Sequence, residues 1–232
     1  MTLLAKDLVA GYGGKPVLDK VSFTLADGEI LAFFGHNGAG KSTTLKAVLG
    51  LIPAIEGEIV LDGERIDALS VHERLRRGLR LLPERRGVFP DLTVEDNISV
   101  VARANRRGDG PGISAADVYD LLPVLAERRR TVAGEMSGGQ QQMLAFGIAL
   151  LGAPKCLLLE EPSVGLQPDL VEELFAKISD ICKSLRVSSI LIEHKIVSAM
   201  KIADHVMIIN SGRLVFQGSK ADAETINLWD YF

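Results

Sequence analysis

The chain is expected to form a single α/β domain on a parallel sheet, and three observations carry that expectation. An apolar strand over 30–34 runs through a glycine-rich turn into a helix, the arrangement with which open α/β sheets hold phosphates at their carboxyl edge. A wholly apolar run, Cys156–Glu160 (CLLLE), is followed at once by a second carboxylate, Glu161, as befits a central strand buried on both faces. The 232 residues are 47% apolar, enough for one large core.

The glycine turn is the most specific feature. Gly35, His36, Asn37, Gly38, Ala39, Gly40, Lys41 and Ser42 match G-x-x-x-x-G-K-[ST] between a strand and a helix, the context that confirms this phosphate-binding loop. Glycines let successive backbone N–H groups converge on phosphate oxygens, and the helix N-terminus adds its dipole. Lys41 is placed to reach the β- and γ-phosphates, and the Ser42 hydroxyl to ligate Mg²⁺. The helix after the loop reads as amphipathic.

Ahead of the loop, residues 3–10 and 17–25 predict an antiparallel hairpin around GYGGKP, with Tyr12 at its tip. After the first helix, GEIVLD over 57–62 reads as a strand ending in an Asp62-Gly63 turn. Ser70-x-x-Glu73 then opens a short basic helix with capping-box residues. Leu79–Leu82 is the next strand. It leads into the polar loop PERRGVFPDLT, after which Thr93-x-x-Asp96 begins a helical region reaching about Leu151, broken by the loose stretch RANRRGDGPG over 103–112. Pro168 starts a helix with apolar residues at Leu170, Val171, Leu174, Phe175, Ile178 and Ile181. A strand over 189–193 ends before His194, and a final hairpin turns at Ser211-Gly212.

Composition excludes several classes. Lys6 and Asp7 interrupt the N-terminus where an export signal needs an unbroken apolar run, and the longest apolar stretch, around 143–151, is too short to span a bilayer. Cys156 and Cys182 fall in a strand pattern and a helix pattern, so buried reduced thiols are expected, which points to the cytosol. A net charge of −4 argues against a nucleic-acid partner. Arg76, Arg77, Arg80, Arg85 and Arg86, and Arg128 to Arg130, read as solvated faces.

Three further segments, SGGQQQ at 137–142, LLLEEPSVGL at 157–166 and LIEH at 191–194, follow the loop in order. With it they resemble an ABC-transporter ATPase subunit over essentially the whole chain. PERRGVFPDLTVEDN, MSGGQQQMLA and PSVGLQP are most similar to the shorter ATPase of branched-chain amino-acid importers, the LivF type. The resemblance implies a P-loop NTPase (RecA-like) core with an N-terminal antiparallel β subdomain and an inserted α-helical subdomain. Core and β subdomain would comprise 1–87 and 152–232, and the helical subdomain with its signature motif 88–151.

Roles follow residue by residue. ATP would be held by Tyr12 stacking on adenine and by Gly35, His36, Asn37, Gly38, Ala39, Gly40, Lys41, Ser42 and Thr43. Glu161 would act as general base on the attacking water, with His194 on the γ-phosphate. Mg²⁺ would be held by Ser42, Glu84 and Glu160, with Glu84 also linking the site to the helical subdomain. Ser137, Gly138, Gly139 and Gln140 would serve a second subunit, self or paralogue, in a head-to-tail dimer that sandwiches ATP. Permease subunits would dock beside Glu84, with Phe89 as the candidate contact, and a periplasmic binding protein would deliver substrate. The location implied is the cytoplasmic face of the inner membrane, peripheral through those subunits.

The sequence departs from the family pattern at Glu160, where Asp is general, at Gln167 and at Ile148. The Glu160 departure predicts impaired turnover. Two alternatives to an importer ATPase are a regulatory ATP-binding module with little turnover, favoured only by Glu160, and a non-transport ABC protein. The latter would normally need tandem ATPase domains or a coiled-coil insert, neither of which is present.

Overall fold

The computed structural model describes residues 3–84, 87–105 and 112–231. Strands β1 (Leu3–Tyr12) and β2 (Lys15–Leu25) form the expected hairpin, closed by Gly13 and Gly14, both at positive φ. Strand β3 (Ile30–Phe34) leads through the glycine loop into α1 (Lys41–Leu49). Strands β4 (Ala54–Leu61) and β5 (Glu64–Arg65) complete a four-stranded antiparallel sheet of order β2-β1-β4-β5.

Helix α2 (Val71–Arg76) precedes β6 (Leu79–Leu82), and the helices α3 (Val94–Asn105), α4 (Ala115–Leu121), α5 (Pro123–Glu127) and α6 (Gly138–Leu150) lie between β6 and β7 (Cys156–Glu160). Then come α7 (Pro168–Leu185), β8 (Ser188–Ile192), α8 (Ile196–Ile202), β9 (His205–Asn210), β10 (Arg213–Ser219) and α9 (Lys220–Glu224). The second sheet has order β10-β9-β3-β8-β7-β6; every pairing in it is parallel except β9 with β10. Both cysteines are buried free thiols, and burial pushes Cys182 up to about 12.

Because strand side chains alternate between faces, the parallel sheet divides the apolar residues between two cores. Ile30, Ala32, Phe34, Leu157, Leu159, Leu191, Val206 and Ile208 pack with the helices α3 to α7. Leu31, Phe33, Cys156, Leu158, Ile190, Ile192, Met207 and Ile209 pack with α1 and the antiparallel sheet. The sheet is thus a middle layer. No helix among the described residues is long and apolar enough to cross a membrane.

Four expectations need correction. Helix α1 is not amphipathic: seven of its nine residues are buried, because it lies within one core instead of on its edge. Residues 103–105 belong to α3; of the rest of the expected loose stretch, Gly112 is in no helix or strand and 106–111 lie outside the described residues, as do Arg85 and Arg86. Leu170 is 38% exposed, while Val171, Leu174, Phe175, Ile178 and Ile181 are buried as expected. Arg80 is not on a solvated face, since its guanidinium turns inward to the carbonyls of Leu75 and Leu79.

The expected capping box at Ser70 and Glu73 is present, and it aims a residue that the sequence did not single out. Arg74 is 2% exposed and donates to the carbonyls of Ala47 and Val48 (both 2.8 Å), Asp67 (2.8 Å) and Leu69 (3.1 Å). Two of those carbonyls close the last turn of α1, so one cation ties the loop-bearing helix to α2. Arg74→Ala takes the side-chain donor from all four carbonyls, although that of Ala47 still accepts from the Gly50 N–H (3.0 Å), and is expected to lower the unfolding free energy by about 2–4 kcal/mol. Exposed Arg76→Ala should stay within about 0.5 kcal/mol in the same denaturant titration.

Candidate active site

The glycine loop keeps its shape through backbone conformation, one bond within it and one from outside. Gly35 (φ 146°) and Gly40 (φ 116°) occupy the region that favours glycine. A Cβ on Gly35 would overlap the Ile209 carbonyl, and one on Gly40 would meet Leu18 of β2 at 2.7 Å. The Ala39 N–H donates to the His36 carbonyl (3.1 Å), and the Ala39 carbonyl accepts from Gly212, whose own carbonyl accepts from Asp19. The hairpin bearing Tyr12 and the β9–β10 turn therefore brace the loop. Tyr12 itself is 49% exposed at the hairpin tip.

Helix α1 differs from α2, α4, α6 and α9, each of which is closed by a capping box. It has no side-chain cap and no acid in its first turn, so its dipole faces the loop uncompensated. Lys41 is buried, and its ammonium donates to the carbonyls of Gly35 (2.6 Å) and His36 (3.0 Å). Burial holds its pKa below the usual lysine value, against an opposing pull from the Glu161 carboxylate.

Glu161 follows the last residue of β7 with φ 49°. A left-handed non-glycine costs on the order of 1–3 kcal/mol and is held only where its surroundings dictate it. Here the Glu161 N–H donates to the Ile192 carbonyl (2.9 Å), and Glu161 Oε1 lies 2.9 Å from His194 Nε2. Lys41, Glu161 and His194 thus come from three loops at the carboxyl ends of β3, β7 and β8. Glu160 ends β7, and Glu84 leaves the end of the adjacent β6. Gly87, beyond Glu84, approaches so closely that a Cβ there would meet Ala145 of α6 at 2.7 Å.

Ser137, Gly138, Gly139 and Gln140 open α6, with Ser137 and Gln140 forming its capping box. The Gln140 N–H is already bonded to Ser137 Oγ (3.3 Å), which leaves Gly138 and Gly139 as the bare backbone at this end. Phe89 is 49% exposed, and so is not packed into the core of the helices. Its backbone is held instead by buried Asn97, which accepts from the Phe89 N–H (2.7 Å) and donates to its carbonyl (2.9 Å). Asn97, Arg74, Glu193 and Lys195 all shape this region without having been singled out by sequence. The Thr93-x-x-Asp96 cap was the one nearby signal.

This edge is suited to a polyphosphate because it joins an uncapped helix, a loop of backbone N–H groups, one ammonium and a carboxylate–imidazole pair. Lys41→Ala is expected to weaken ATP binding in calorimetry by more than any loss of base stacking, since it removes the ammonium aimed into the loop. Tyr12→Ala should weaken it less, by about 1–3 kcal/mol, the range for stacking on a base; unchanged affinity would remove Tyr12 from the site.

Comparison with known proteins agrees with this geometry. Residues 18–164 match the family model described as ABC transporter. The high-affinity branched-chain amino acid transport ATP-binding protein BraG of Pseudomonas aeruginosa is 38% identical over 94% of this chain and 94% of its own. The probable branched-chain amino acid transport ATP-binding protein LivF of Archaeoglobus fulgidus is 35% identical, over 91% of this chain and 89% of its own. The lipopolysaccharide export system ATP-binding protein LptB of Escherichia coli is 31% identical, over 95% and 92%. A dimeric, post-hydrolysis structure of the ATP-binding cassette MJ0796 bound to ADP and Pi superposes with a TM-score of 0.81 at 20% identity, over 95% of this chain and 99% of that one, a likeness of fold. With the glycine loop, the doubled carboxylate after β7 and His194 in place, and with relatives of this identity along almost its entire length, the chain belongs to the ABC-transporter family of ATP-hydrolysing ATP-binding subunits.

Proposed function

We propose that this chain powers an importer of branched-chain or related amino acids, acting as a head-to-tail dimer against separate permease subunits at the cytoplasmic face of the inner membrane. The observation that carries the hydrolytic part is the Glu161–His194 contact of 2.9 Å, at the sheet edge where β3, next to β8, leads to Lys41. The importer reading draws on BraG and LivF, at 38% and 35% identity. LptB, at 31%, favours an export system as the second reading. Recovering the protein from its native membrane and identifying the co-purifying permeases separates the two: amino-acid permeases support the first, lipopolysaccharide-export subunits the second.

In the proposed mechanism the loop N–H groups and Lys41 hold the β- and γ-phosphates. Glu161 accepts a proton from water as it attacks the γ-phosphorus. The bond to the β–γ bridging oxygen breaks, and ADP and phosphate leave. The hydrogen bond between His194 Nε2 and Glu161 Oε1 holds the ring beside the general base, and charge is stabilised by position, without a covalent step. Ser42, Glu84 and Glu160 offer a hydroxyl and two carboxylates, hard oxygen donors of the kind Mg²⁺ takes alongside substrate phosphates. When bound, that ion would neutralise charge developing on the phosphates.

Exposure supports the proposed dimer. His194 has a side chain 43% exposed and Tyr12 is 49% exposed, so one copy leaves ATP open to water. The start of α6 on a second copy supplies the missing wall, closing on ATP and reopening after hydrolysis. Phe89 presents the permease contact, a periplasmic binding protein supplies substrate, and residues 88–151 act as the helical subdomain between permease and site.

Glu161→Gln is expected to keep ATP binding and abolish hydrolysis, because the amide fills the space but accepts no proton. ATP should then trap a stable dimer in size-exclusion chromatography. Turnover near the parent rate would remove Glu161 from its role.

Glu160→Asp, which withdraws the carboxylate by about 1.5 Å, is expected to raise kcat, by less than about a hundredfold, with ATP affinity unchanged. A lower kcat would mean that the backbone has adapted to the longer side chain.

A further inference from the structure

The loop after Glu161 is held on both sides by the residues flanking His194. Glu193 is 2% exposed. One of its oxygens accepts from the Ser163 N–H (2.9 Å), and the other from the N–H groups of His194 (2.9 Å) and Lys195 (3.2 Å). Lys195 reaches back across the same gap, donating to the carbonyls of Ser163 (3.3 Å) and Leu166 (3.1 Å). Ser163, 1% exposed, therefore has both backbone polar groups bonded to side chains of the 193–195 turn. A buried carboxylate is stable only when its lone pairs are filled, and here three N–H groups from two separate segments fill them.

The far end of the loop rests on α6. A Cβ on Gly138 would stand 3.8 Å from Leu166, and one on Gly139 would stand 3.2 Å from Leu170. Hydrogen bonds thus run from the turn bearing His194 to Ser163 and Leu166, and Leu166 in turn faces the start of the signature helix.

We propose that Glu193 and Lys195 are positioning residues for hydrolysis, locking Ser163–Leu166 to the turn that bears His194. Glu161, His194 and the start of α6 then keep one mutual registration. The proposal rests on the reading of Glu161 and His194 as the hydrolytic pair. Glu193 acts through the His194 backbone and Lys195 through loop carbonyls. The loop that holds the phosphates carries neither contact, so loosening the lock separates turnover from binding. Misplacement by about 1 Å costs on the order of 10²-fold in rate where groups must be aligned.

Steady-state ATP hydrolysis by Lys195→Met and Lys195→Arg tests it, alongside thermal unfolding and amide hydrogen exchange. The expected result is a kcat lowered at least about tenfold in Lys195→Met with KM for ATP within about twofold, and recovery of most of kcat in Lys195→Arg, which keeps a charged donor. Exchange of the Ser163 and Leu166 amides should quicken at least about tenfold in Lys195→Met alone. Parent-like kcat in Lys195→Met, a loss that Arg does not recover, or a loss expressed as raised KM overturns the proposal. Near-parent turnover in Glu161→Gln counts instead against the proposed function. In that case, as for a parent without turnover, exchange decides the lock: unchanged rates overturn it, faster rates uphold it.

Discussion

The site depends on one level of parallel pairing. Ile192 of β8 stands beside Phe33 of β3 on one side and Glu160 of β7 on the other. The next residues on these three strands lead to the glycine loop, to His194 and to Glu161. A slip of one residue in either pairing would exchange the two faces of that strand, sending Ile190 and Ile192 into the core made for Leu191. The apolar alternation that builds two cores therefore also aligns the catalytic edge, and the chemistry needs no separate scaffold.

Much of this was legible because its determinants are local. The eight-position loop motif, the capping box at Ser70, Pro168 at the start of α7 and the apolar run of β7 each declare themselves within a few residues. What was not legible is carried by side chains bonded to distant backbone. Arg74 reaches carbonyls 26 and 27 positions earlier, and Glu193 reaches an N–H 30 positions away. Backbone carbonyls and N–H groups are common to nearly every residue, so no residue type marks them. The reading of α1 failed for a related reason: its polar residues Lys41, Thr43 and Thr44 are buried because the loop and the core enclose them, and a pattern of side chains does not report enclosure.

Adjacent carboxylates at the end of β7 stand in different mechanical settings. Glu160 continues the strand and is paired with Ile192, so the sheet fixes its backbone. Glu161 lies one step beyond, in a left-handed conformation maintained by its bond to the Ile192 carbonyl. The turn there projects the second carboxylate toward His194. Strand extension alone would have sent the two side chains to opposite faces.

The grip of Asn97 on Phe89 has a consequence for how a surface can change. The bonds that shape the loop at this point belong to the Phe89 backbone and to a buried amide, while the ring takes no part in them. Shape and surface chemistry are therefore separable at position 89. A different side chain there alters what the surface offers while the turn beneath it persists, so divergence between related chains can proceed at this position without refitting the helices behind it.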